Sequence, residues 1–332
     1  MIGGSMSFTT PRQIAARLNR SQLAVPGIQT RMFEKAANSR ADIVFLDLED
    51  AVAPNDKEQA RANVIEAVNN IDWGAKSISV RINGLDTHYM YRDLIDVIEG
   101  CGARLDLLMI PKVGTASDVY AIDMLLTQIE NAMGFEKRIG LEIMIESALG
   151  MQNISEIAKA SERIESLHFG AGDYGASLHA HTTHIGGVNN DYAVLANEDT
   201  DGQRASYISD IHHHALSTLV VAARANGLRP IDSAFGDYSD TDGFTASAKR
   251  ARALGCEGKW AIHPSQIDLA NDIMGPSQDE VTKAKGILKA MEDGAKAGKG
   301  AVTFEGRMID YANVRQAEML VKKAEMIARQ AS

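Results

Sequence analysis

Short apolar runs recur along the chain, each followed by a longer stretch of mixed apolar and polar residues. Eight such runs are read in order, at residues 22–26, 43–48, 77–82, 107–111, 140–145, 166–170, 229–232 and 258–262. Their lengths are those of strands, and runs such as Leu141-Glu142-Ile143-Met144-Ile145 are nearly continuous in apolar or β-branched residues, as in a parallel sheet covered on both faces. The stretches 57–68, 116–133, 154–161 and 205–225 predict helices. Strand then helix, eight times over, predicts an α/β fold of the (β/α)8 TIM-barrel type with a C-terminal helical extension. A doubly wound open sheet is the alternative, but no Gly-x-Gly-x-x-Gly turn follows the first strand.

Three parts follow from this reading. Residues 1–19 form an N-terminal segment, in which Met1-Ile2-Gly3-Gly4-Ser5 ahead of Met6 reads as a cloning scar. Residues 20–275 form the catalytic barrel, and residues 276–332 a helical lid or oligomerisation extension. Within the barrel, residues 175–201 hold Gly186-Gly187 and Asn189-Asn190 and predict a long loop after the sixth strand. The extension predicts helices at 278–297 and 312–331, joined by a polar, glycine-rich link at 298–306.

A hydrophobic content of 45% supports a large core, and the net charge of −10 argues against a nucleic-acid partner. It leaves room for an anionic ligand held by a local cluster of Arg and Lys. No apolar run reaches the length of a membrane span, so no membrane partner is expected. Cys101 and Cys256 have neither metal nor disulfide spacing, which points to a reducing, cytoplasmic setting.

Polar residues gather where the predicted strands end, the face on which α/β barrels carry their active sites. Glu146 closes the fifth run and Asp173 follows the sixth. Two hard carboxylates, with positions left for water and substrate, suit magnesium, with manganese as the alternative ion. Each acid taken alone also reads as a helix cap. Arg81 ends the third run and offers a planar fork of donors to a carboxylate or an enolate oxygen. Around them lie Asp47, Glu49, Asp50 and Lys112. Glu49 and Asp50 either orient metal-bound waters or pair with Lys112 or Arg81 to neutralise a crowded mouth. His179, His181 and His184 do not share one helical face, and they and His212, His213 and His214 read as surface or interface residues.

The ordered set Val25-Pro26-Gly27, Leu46-Asp47-Leu48-Glu49-Asp50-Ala51-Val52, Val80-Arg81-Ile82-Asn83-Gly84, Ile110-Pro111-Lys112, Ile145-Glu146-Ser147, Gly172-Asp173 and Ala261-Ile262-His263-Pro264 resembles the HpcH/HpaI aldolase and citrate lyase β-subunit family. The resemblance runs from about residue 20 to 327. With Gly236-Asp237-Tyr238-Ser239-Asp240 and Gly306-Arg307-Met308-Ile309-Asp310 it lies nearest the members that act on malyl-CoA. It implies reversible, magnesium-dependent carbon–carbon cleavage of malyl-CoA or β-methylmalyl-CoA to glyoxylate and acetyl-CoA or propionyl-CoA, so that coenzyme A enters as part of the substrate. Thioester hydrolysis of malyl-CoA and cleavage of citryl-CoA or citramalyl-CoA are the alternatives, and a non-catalytic coenzyme A-binding partner is a remote one. By the same resemblance Glu146 and Asp173 are the metal ligands and Arg81 binds substrate. Asp310 falls on the tail aspartate that reaches the active site of a neighbouring subunit in a homo-oligomer, a trimer or hexamer; its chemistry suits the base that removes the α-proton, and it also reads as the N-cap of the last helix. Lys35 meets the coenzyme A phosphates, while Ala24, Gly172, Ile262 and His263 line the substrate. The family's arginine after Pro26-Gly27 is replaced here by Gln29, with Arg31 as the nearby basic residue.

Overall fold

The structure is a computed structural model and describes residues 13–181 and 184–330. The scar expected at Met1–Ser5 lies outside the described residues. Eight parallel strands close into a barrel: β1 (Ser21–Pro26), β2 (Ile43–Asp47), β3 (Ser77–Arg81), β4 (Leu107–Ile110), β5 (Gly140–Ile145), β6 (Ile164–Phe169), then β9 (Arg229–Asp232) and β10 (Gly258–Ala261). Between β6 and β9 the chain inserts a small antiparallel hairpin, β7 (Ala193–Leu195) with β8 (Ser206–Ile208), yet β6 and β9 still pair directly. Every predicted strand is present, and the expected (β/α)8 architecture holds.

The differences lie where local chemistry overrides the apolar pattern. The loop expected at 175–201 contains β7, and the helix expected from 205 starts only at His213, because Ser206–Ile208 pairs with β7. The stretch expected at 154–161 is helical over Ile154–Ile157, with a separate helix, Ala148–Gln152, before it. Ser147 caps that first helix by accepting from the Gly150 N–H at 3.0 Å.

The chain divides into a unit ending at Ala270 and a second from Asn271. In the second, helix Gln278–Lys296 starts with a capping box between Ser277 and Glu280. The expected plain link is instead a hairpin, β11 (Val302–Phe304) with β12 (Arg307–Ile309). Glu305 and Gly306 at its tip have φ of 48° and 74°, the pair of left-handed residues that a two-residue hairpin turn matching strand twist requires. Helix Tyr311–Gln330 follows.

Candidate active site

Side chains two apart on a strand face the same way, so the inward column of each barrel strand can be followed from floor to mouth. On β5 the column is Glu142, Met144 and Glu146. At the floor, Gln22 Nε2 on β1 donates to Glu142 Oε2 at 2.9 Å, a bond that crosses the barrel between strands four places apart. Ser79 Oγ donates to the same oxygen at 2.6 Å, and His168 Nε2 lies 3.2 Å from Glu142 Oε1. Burial pushes the Glu142 carboxyl up, but the electrostatic attraction of His168, with the hydrogen bonds from His168, Ser79 and Gln22, outweighs it and holds it below the usual range. Trp260 Nε1–H donates to His168 Nδ1 at 2.9 Å, which leaves Nε2 as the ring nitrogen that faces Glu142. Above this layer Phe45, Met109, Met144, Ile231 and Trp260 pack as one buried cluster.

The mouth rests on that cluster. Arg81, paired in register with Asp47, sits 5.6 Å from the Trp260 ring and 5.8 Å from the Phe45 ring. Its Nε and Nη2 donate to the two oxygens of Asp47 at 2.7 and 2.6 Å, and Nη1 lies 3.0 Å from Glu49 Oε2. Burial opposes the guanidinium charge, yet Asp47, Glu49 and Glu146 raise its pKa above the ordinary arginine value. Lys112 Nζ donates to Glu49 Oε1 at 2.6 Å and lies 3.4 Å from Asp50 Oδ1. Glu49 thus pairs with both Arg81 and Lys112 and Asp50 with Lys112, while Asp47 is the principal partner of Arg81.

Glu146 directly follows β5 and is buried, accepting the Lys112 N–H on Oε1 at 2.7 Å. Its carboxyl is pushed up to about 8, by burial first and by the charge of Asp173 beyond it, against the opposing pull of Arg81. Gly170 makes this approach possible, since a Cβ there would collide with the Glu146 carboxylate. Asp173 is not at the strand end but in the first turn of helix Ala171–Ser177. A buried carboxylate with a half-buried one close enough to raise its pKa suits a hard dication, which would relieve their repulsion and take both as oxygen donors. Among the described residues no group of three or more His, Cys, Asp or Glu side chains could hold a metal ion.

The other expected residues are placed as follows along the chain. Ala24 is half-buried on β1 and packs on the buried cluster beneath the mouth. Gln29 precedes a single 3-10 turn, while Arg31 and Lys35 project from Thr30–Met32 and Phe33–Ala37 and are exposed. Gly172 is half-buried, and Ile262 and His263 are exposed beyond β10. The His263 ring stacks on Tyr238, with centroids 4.6 Å apart and planes 20° from parallel. Asp310 lies in the second unit, where its Oδ1 accepts the Ala312 N–H at 2.9 Å and caps the last helix. Asp232, at the end of its run, is turned away from the mouth: it pairs with the fully buried Lys259 at 2.5 Å in the layer outside the strands, where Lys259 also meets Ser247.

Lys57 is a residue that the apolar pattern did not single out. Its Nζ donates to the Leu48 and Glu49 carbonyls at 2.7 and 2.8 Å and to Asn83 Oδ1 at 2.6 Å, tying down the loop that carries Glu49. A signal did exist, because a lysine opening helix Lys57–Asn70 runs against the helix dipole and calls for another partner.

Comparison with known proteins agrees with this geometry. The profile of the HpcH/HpaI aldolase/citrate lyase family matches residues 20–264. The L-malyl-CoA/β-methylmalyl-CoA lyase of Cereibacter sphaeroides is 50% identical over 323 residues, covering 97% of this chain and 100% of that protein. The malyl-CoA/β-methylmalyl-CoA/citramalyl-CoA lyase of Chloroflexus aurantiacus is 36% identical over 92% of this chain and 86% of its own length. Among solved structures, CitE from Mycobacterium tuberculosis in complex with magnesium, acetoacetate and coenzyme A superposes with a TM-score of 0.69 at 28% identity, covering 93% of this chain and 99% of that one. A barrel whose mouth carries paired carboxylates beside a buried arginine, matched over three-quarters of its length by one family profile, belongs to the HpcH/HpaI aldolase/citrate lyase family.

Proposed function

We propose that the protein is a magnesium-dependent carbon–carbon lyase that reversibly cleaves malyl-CoA or β-methylmalyl-CoA to glyoxylate and acetyl-CoA or propionyl-CoA. The observation that carries this reading is 50% identity, end to end, to a lyase of that name. The site supports it with Glu146 and Asp173 as metal ligands and Arg81 beside them.

Magnesium held by Glu146 and Asp173 would supply Lewis-acid polarisation of the glyoxylate carbonyl. In the direction of synthesis, Asp310 takes the α-proton of the acyl-CoA as general base. Arg81 faces the thioester oxygen and stabilises the negative charge that grows there as the proton leaves. Cleavage runs these steps in reverse, with Asp310 returning the proton to the acyl-CoA carbanion. Lys35 and Arg31, exposed beside β1, meet the phosphates of coenzyme A, while Ala24, Gln29, Gly172, Ile262 and His263 line the acyl end. We infer a homo-oligomer, trimeric or hexameric, in which Asp310 serves the barrel of a neighbouring subunit. Two buried free cysteines support a reducing, cytoplasmic setting, and among the described residues no helix is long and apolar enough to cross a membrane.

Purified protein given malyl-CoA and magnesium is expected to release glyoxylate, trapped as its phenylhydrazone, and acetyl-CoA in equal amounts, with EDTA abolishing both. Free coenzyme A and malate without glyoxylate would instead make it a thioesterase. Asp310→Asn is expected to lower turnover by about 10²-fold, the lower range for loss of a general base. Mixing and reassembling it with an Asp173→Asn protein should restore activity, because some interfaces then pair an intact Asp310 with an intact metal site. Failure of such mixed assemblies to regain activity argues against sharing between subunits.

A further inference from the structure

Lys112 has a φ of 54°, in the left-handed region where a Cβ crowds the following carbonyl and glycine is the usual occupant. Of the non-glycine residues with positive φ among those described, it is the one that follows a barrel strand. Such a conformation persists where the surroundings over-determine it, and it clusters at functional sites. Two interactions do so here, in opposite directions around the rim. Toward β5, the Lys112 N–H donates to Glu146 Oε1 at 2.7 Å. Past β3 toward β2, its Nζ donates to Glu49 Oε1 at 2.6 Å and reaches Asp50 Oδ1 at 3.4 Å. Glycine would adopt the backbone without strain but has no ammonium, so only a long cationic side chain at a left-handed position meets both demands.

We propose that Lys112 is a positioning residue: its left-handed backbone aims the Glu146 carboxylate while its ammonium anchors Glu49, setting the metal-facing rim before cation or substrate arrives. This deepens the reading of Glu146 as a metal ligand and rests on it. The ammonium supplies the force that keeps the backbone left-handed. Once it is removed from a residue that retains a Cβ, the chain is free to relax toward an ordinary conformation, and the N–H then turns away from Glu146.

The sign of the effect separates positioning from plain electrostatics. Removing a cation near a dication site should tighten metal binding if charge alone matters, whereas losing the brace should weaken it. Magnesium affinity is measured by calorimetry on the full chain without substrate. Lys112→Met is expected to bind about 10-fold more weakly, the scale seen when a partner of a metal ligand is lost. Lys112→Gly keeps the backbone geometry and loses only the ammonium, so a smaller loss, about threefold, is expected. Tighter binding by Lys112→Met overturns the proposal, as does a loss in Lys112→Gly equal to that in Lys112→Met. Should Lys112→Met fail to fold, Lys112→Gly decides alone, since binding at or above wild-type strength overturns it. Glu146→Gln is the control: if the unaltered protein binds no magnesium, or if Glu146→Gln binds it equally well, the metal reading itself falls and the brace with it.

Discussion

Glu146→Gln is expected to abolish magnesium-dependent turnover while leaving the barrel intact. The amide keeps the shape of the side chain, and its oxygen can still accept the Lys112 N–H that Glu146 Oε1 receives at 2.7 Å. What it loses is the charge, and with two carboxylates as the donor set that halves the anionic attraction for the cation. Turnover should fall by at least ~10³-fold, as when a principal electrostatic contributor is removed. The pH dependence follows from the same group. Its carboxyl is raised to about 8 in the folded protein by burial and by Asp173, above its ordinary value when unfolded. Between these values the folded state binds a proton that the unfolded state has released, so this group makes metal-free stability fall as pH rises toward 8. Glu146→Gln should remove that fall and, in the metal-free protein at alkaline pH, be the more stable of the two in thermal unfolding. Because the cation competes with that proton, wild-type magnesium affinity should rise about tenfold per pH unit from 6 toward 8 and then level off. A flat affinity profile over that interval, measured by calorimetry, contradicts the assignment.

The barrel was legible because its strands are buried on both faces, so apolar runs such as Ile43–Asp47 and Gly140–Ile145 stand out without any long-range information. The rim was legible for a related reason: the first polar residue after each run is carried to the mouth by the strand itself, which places Glu146, Arg81 and Lys112 together. Partners set by tertiary structure were not legible. Glu142 reads as a polar interruption of an apolar run, and nothing local shows that Gln22, Ser79 and His168 converge on it from three other strands. Likewise Asp232 ends its run as a rim residue should, yet pleat alternation turns it outward to Lys259, since Ile231 takes the inward position. The two small hairpins were missed because three-residue strands carry too little periodicity to compete with glycine-rich composition.

Arg81→Ala is expected to reduce turnover by about 10³-fold and to destabilise the fold as well, and the two effects are separable. Asp47 and Glu49 are buried and both pair with the guanidinium, so deleting it leaves two carboxylates without their principal counter-charge. Breaking a buried pair in this way costs about 3–5 kcal/mol, which thermal unfolding would register as a large drop in midpoint. Arg81→Lys isolates the chemistry. An ammonium can keep the charge beside Asp47, but it cannot reproduce the two parallel bonds at 2.7 and 2.6 Å while also facing a substrate oxygen, because it lacks the planar fork. It should therefore recover much of the lost stability and still turn over about 10²-fold more slowly, in line with the loss of one oxyanion donor. If Arg81 acts mainly on the charge of the transition state, kcat and kcat/KM should fall together, whereas a role in holding ground-state substrate would raise KM and spare kcat. Wild-type-like turnover by Arg81→Lys would reduce Arg81 to a structural counter-ion for Asp47 and Glu49. The guanidinium's position over Trp260 and Phe45 argues against that outcome, because a pairing role needs only charge, while aiming a donor at a substrate oxygen needs a surface against which the plane can be set.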